Sequence, residues 1–172
     1  MPEKKTLDRA RADKQAGKSA STQAGEFIRE QIHHIRQGRH GARSAKQAIA
    51  IGLSEARRSG VDLPPPSAGK TSETTRKKAA RDFDRGHGAA PRSTATAKRS
   101  RASENALKRE SSAAASPRAL SRHARSAAAQ RSPAERSAAA RRAAQTKGTA
   151  GRSAAAHRAA HTRQSHETRA RD

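Results

Sequence analysis

Arginine carries most of the chemistry this chain can offer. Arg118, Arg122, Arg125, Arg131, Arg136, Arg141, Arg142, Arg152 and Arg158 recur at intervals of one to ten residues. A guanidinium is planar, stays charged, and presents a fork of N–H donors that matches two phosphate oxygens. Repeated along a chain, such groups neutralise a phosphate backbone and release its counterions, with little reading of base sequence. A second set, Arg36, Arg39, Arg43 and Lys46, surrounds the expected start of a helix. Free backbone N–H groups and the helix dipole favour an anion there. These thirteen residues are the candidate nucleic-acid contacts.

Histidine is the other reactive type. His33, His34 and His40 fall close together, and His157 and His161 stand four apart. Neither set has a cysteine or, by sequence, a well-placed carboxylate. They read as solvated imidazoles that add positive charge below about pH 6.5, and no metal or cofactor is expected. No nucleophile–base pair on a scaffold and no glycine-rich phosphate loop is visible, so the expectation is a protein that is not an enzyme.

The charge balance supports the same chemistry. The chain has 172 residues, with 38 Lys/Arg against 15 Asp/Glu. Residues 67–172 alone hold 25 Lys/Arg against 8 Asp/Glu. Their large apolar residues are Phe83, Leu107 and Leu120. Such a composition buries too little surface to offset chain entropy, which predicts a disordered tail when free. The absence of cysteine excludes a disulfide framework. The N-terminal residues lack the apolar run of a secretory signal, and no stretch approaches the roughly 20 apolar residues of a membrane span. The expectation is a soluble, cytoplasmic protein of the bacterial nucleoid.

The elements that position these groups follow from periodicity and capping. Residues 1–21 read as a disordered basic arm, with at most a short helix from Leu7 to Ala16 that has no apolar face to dock. Residues 22–37 read as an amphipathic helix. Ala24, Phe27, Ile28, Ile32 and Ile35 lie on one arc, with Thr22 as N-cap, Gly38 beyond the end, and Glu26–Arg29 and Glu30–His34 pairs on the wet face. Residues 45–59 read as a second helix, opened by the capping box Ser44-Ala45-Lys46-Gln47 and closed by a Schellman stop at Gly60-Val61. Pro64-Pro65-Pro66 lies in a stiff linker, residues 64–70.

The fold expected is thus mostly α: a two-helix hairpin near 22–59, within an ordered segment 22–63, followed by a disordered Arg/Ala/Ser-rich tail over 71–172. The tail carries the pentamer RSAAA at Arg125, Arg136 and Arg152. It also carries conditional helices near 117–131 and 133–147. Ser132-Pro133-Ala134-Glu135 is a strong helix start and Gly148 a stop. Nine large apolar residues between Phe27 and Leu63 make a small core, and chains with so little to bury often oligomerise. Either a homodimer covers Ile51 and Leu63, or Val61 and Leu63 fold back over Ile51 within one chain.

The segment RSAKQAIAIGLSEARRSG, Arg43 to Gly60, resembles a family of small basic bacterial proteins of unknown function that share a KQAIAI(A/G)LS(E/K)A core. The longer stretch from Ser21 to Pro66 is similar to the ordered part of proteobacterial members loosely labelled DNA-binding. The resemblance covers about residues 1–66 and implies DNA binding without an established activity. The tail is similar in composition to linker-histone tails and bacterial histone-like proteins, but prefers arginine and has few prolines.

The functional expectation is a histone-like, nucleoid-associated protein that binds duplex DNA without sequence preference and bridges or compacts it. RNA or ribosome association and a hydrophilic stress-protective role are the alternatives. Two phenylalanines, with no tyrosine or tryptophan, leave little for a base-stacking platform.

Overall fold

The computed structural model describes residues 2–88 and 97–169, and every regular element in them is helical. Seven α-helices follow in order: α1 Lys4–Gln15, α2 Ala20–Arg36, α3 Ala45–Arg58, α4 Glu73–Gly86, α5 Ala97–Lys108, α6 Pro117–Ala129 and α7 Pro133–Arg169. A short 3₁₀ turn, Ser112–Ala115, precedes α6. This corrects the expected two-helix hairpin with a disordered tail: order extends on both sides of the hairpin.

The central pair forms, with one cap moved: Ser19, rather than the expected Thr22, caps α2, its hydroxyl accepting from the Thr22 N–H at 3.4 Å. Gly38, with φ of 72°, closes the helix. Its N–H donates to the Ile35 carbonyl and the Arg39 N–H to the His34 carbonyl, the two bonds of a Schellman motif. Ser44 Oγ accepts from the Gln47 N–H at 3.2 Å, while Gln47 Oε1 accepts from the Arg43 N–H at 2.8 Å, one residue before the N-cap. The stop of α3 forms as expected: the Val61 N–H donates to the Ala56 carbonyl, and both residues are buried in one cluster.

Residues 1–21 are not a free arm. α1 packs on α2, and Leu7 and Ala10 join Ala24, Phe27, Ala56, Val61, Leu53 and Leu63 in the first apolar cluster. Leu63 is thus covered in part within its own chain, and Ile51 is half-buried. Glu30 also departs from expectation: it is buried rather than on the wet face, whereas Glu26–Arg29 forms at 2.9 Å with the arginine exposed.

Two pieces of the presumed tail dock on the hairpin. α4 packs on α3, burying Ala79 and Asp82. The carboxylate of Asp82 accepts hydrogen bonds from the Ser54 hydroxyl and from Arg58 Nη1, the latter at 3.2 Å. Farther along, residues 107–115 lie against the connector between α2 and α3. The Gly41 N–H donates to the Leu107 carbonyl at 2.8 Å and the Ala42 N–H to the Ser111 carbonyl at 3.1 Å. Ala114 and Ala115 then complete a second cluster with Ile35, Ala42 and Ala48.

The physical reason for the correction is alanine. Among the described residues, nine of the twelve buried apolar residues are alanines. A methyl group buries little surface, but it lets helices approach closely and fill space densely. Counting only large side chains therefore understates this core.

The chain divides into two compact units, Met1–Ala124 and Arg125–Asp172. In the second unit, α7 begins at the expected site: the Glu135 N–H donates to Ser132 Oγ at 3.2 Å, and the Ser132 N–H donates to Glu135 Oε2 at 2.8 Å. Gly148 interrupts the helix with φ 66° and ψ 174°, and helix resumes beyond it. No residue from 131 to 165 is buried. These helices rest on the good propensities of alanine and arginine and on their caps.

Candidate nucleic-acid interface

A cluster of cations lines a cleft between α3 and α4. On α4, Lys78, Arg81 and Arg85 fall at i, i+3 and i+7, so they share one face of the helix. All three are exposed. Together with Arg58 of α3 they line a cleft of about 300 Å³, whose other walls are Ser54 and Asp82. Asp82 neutralises one charge through its bond to Arg58. Three further cations remain around an open cleft, an arrangement suited to a phosphate. This group was not among the sequence candidates, although the 78/81/85 spacing was readable from the sequence.

The connector set is divided by the fold. Arg36 Nε donates to the Ala115 carbonyl at 2.9 Å, which clamps the 3₁₀ turn onto α2. Arg39 Nη1 lies 2.8 Å from Glu3 Oε1 and 2.9 Å from His34 Nε2. The Arg43 side chain faces solvent, 82% exposed, in a long contact of 3.5 Å with Glu110. Lys46 is exposed in the first turn of α3. Arg43 and Lys46 are therefore open to a ligand, whereas Arg36 and Arg39 already serve contacts within the chain.

Arg118 and Arg122, four apart, share a face of α6, and both are exposed. In the second unit Arg125, Arg131, Arg136, Arg141, Arg142, Arg152 and Arg158 are exposed as well. Arg136 Nη1 donates to the Arg131 carbonyl at 2.6 Å. Among the described residues none of these nine arginines forms an ion pair. Between Pro117 and Ser165 eleven Lys/Arg stand against the single acid Glu135, and all eleven are exposed.

Neither ring offers a base-stacking platform. Phe27 is fully buried, and Phe83 stacks on His87 at 4.0 Å between centroids. The histidines separate into two environments. His157 and His161 are exposed on α7. His33 contacts Gln37 at 2.7 Å, and His40 contacts Gln31 at 3.0 Å.

No described helix is long and apolar enough to cross a membrane. Residues 11–67 match the model of a family of unknown function (DUF6496). The match runs from within α1 through the connector and α3 to the prolines, and leaves out α4 and the later helices. Neither a curated protein nor a solved structure matches the chain.

Proposed function

We propose that this is a non-sequence-specific DNA-binding protein of the nucleoid-associated kind, which neutralises phosphates with exposed arginines and bridges or compacts duplex DNA. One observation carries the reading: eleven exposed Lys/Arg against one acid between Pro117 and Ser165. With no carboxylate partner among the described residues, these cations hold solution anions instead. A polyanion that displaces those anions gains their entropy. The cleft of Arg58, Lys78, Arg81 and Arg85 adds a separate phosphate contact on the folded unit. Two such surfaces on one chain support bridging as well as binding.

The poverty of aromatic surface favours backbone contacts on a duplex over stacking on unpaired bases. Competition at matched salt between duplex DNA and structured RNA for the full chain tests the assignment. Preferential or equal retention of duplex DNA is expected, with weaker binding by the Arg81→Gln/Arg85→Gln variant. Preference for RNA would move the protein to the RNA-associated class, and binding to neither polymer would overturn the proposal.

A further inference from the structure

We propose that Glu3, Glu30 and His34 form a binding site for a divalent transition-metal ion, with Arg39 as the internal cation that the metal displaces. Glu30 and His34 stand four apart on α2, so they share a helix face. Glu3, at the N-cap of α1, is brought to them by its own backbone N–H, which donates to Glu30 Oε1 at 2.9 Å. One ligand atom from each residue lies within 4.8 Å of the others. His34 Nε2 is 3.0 Å from Glu3 Oε1 and 3.8 Å from Glu30 Oε1. Tetrahedral ligands at zinc bond lengths of about 2.0–2.2 Å lie about 3.4 Å apart, between those two spacings.

An independent observation points to a cation. Glu30 is only 6% exposed, and its Oε2 is buried without a hydrogen-bond partner. A buried carboxylate oxygen left in that state is costly, and a cation offsets the cost. The two arginines lining this 300 Å³ cleft are committed to another acid: Arg9 and Arg29 both reach Glu26, at 3.9 and 2.9 Å, which leaves Lys5 and His33 as the other basic walls.

Arg39 defines the competition. Its Nη1 sits 2.8 Å from Glu3 Oε1 and 2.9 Å from His34 Nε2, in contact with two of the three ligand atoms. A metal entering the site displaces that guanidinium and frees it for phosphate. The donor set of one imidazole and two carboxylates, with no thiolate, suits zinc and its borderline neighbours.

The test is zinc titration of the untagged full chain by calorimetry. His157→Gln/His161→Gln serves as background, because that exposed pair is a competing ligand set. His34→Ala and Glu30→Gln are expected to weaken binding by more than the roughly 10–100-fold typical of losing an outer-shell partner, and Arg39→Gln to tighten it. Should Glu30→Gln fail to fold, the His34 ring resonances of the background protein decide, since they must shift on zinc addition. Zinc binding unchanged by His34→Ala, binding weakened by Arg39→Gln, or an unshifted His34 ring would each overturn the proposal.

Discussion

Gly52 of α3 lies directly against the backbone of Ile28 in α2: a Cβ at position 52 would stand 2.7 Å from Ile28 Cα and 2.9 Å from Ile28 N. These two helices share the most extensive interface among the described elements, and they can come this close here because one of them has no side chain. That approach lets Ala24, Ala48 and Ala56 serve as core residues.

Gly52→Ala is therefore expected to destabilise the folded unit. Alanine is the better helix former by about 1 kcal/mol, but overpacking against backbone costs about 1–3 kcal/mol. Backbone cannot swing aside as a side chain does, so the clash dominates. Thermal unfolding followed by far-UV circular dichroism should show a lower Tm. A higher Tm would mean that propensity decides and that the helices separate freely.

His87 gives the fold a pH-dependent tie. Its Nδ1 lies 2.8 Å from the Phe83 carbonyl and its Nε2 2.7 Å from Asp62 Oδ1. Only the imidazolium can donate to both. Those two acceptors, Phe83 first, raise its pKa above the ordinary 6.5. Asp62 is held below its ordinary 3.8 by His87 and then by Lys14. The histidine's contribution is complete below pH 6.5 and is lost as pH rises through the raised value. The aspartate's is complete above pH 3.8 and is lost as pH falls through the lowered value. The tie thus operates fully between those limits and weakens on either side. In an NMR titration, Asp62→Asn should lower the His87 midpoint, with the Phe83 carbonyl retaining part of the rise. An unchanged midpoint would remove Asp62 from the tie.

Local signals in this chain were legible; distant ones were not. Ser44 and Gln47, Gly60 and Val61, and Ser132 and Glu135 act within a few residues of one another, and each forms a cap or stop close to its expected place. Gly148 breaks α7 because its φ is positive, but sequence did not show that helix resumes after it. The docking of Leu107 on Gly41 and of Ala115 on Arg36 depends on backbone carbonyls, which every residue has and no pattern marks. Glu3 beside His34 joins residues 31 apart. The site at Lys78, Arg81 and Arg85 was masked differently: its helical spacing was present, but a segment read as disordered has no faces to assign.

The most direct test of the central claim is the salt dependence of full-chain binding to duplex DNA. If the exposed arginines engage about 6–10 phosphates, affinity should fall by about 10³–10⁵-fold between 50 and 200 mM salt, along a straight line in log–log form. A nearly flat response would contradict binding by phosphate neutralisation and, with it, the functional account of the arginine helices.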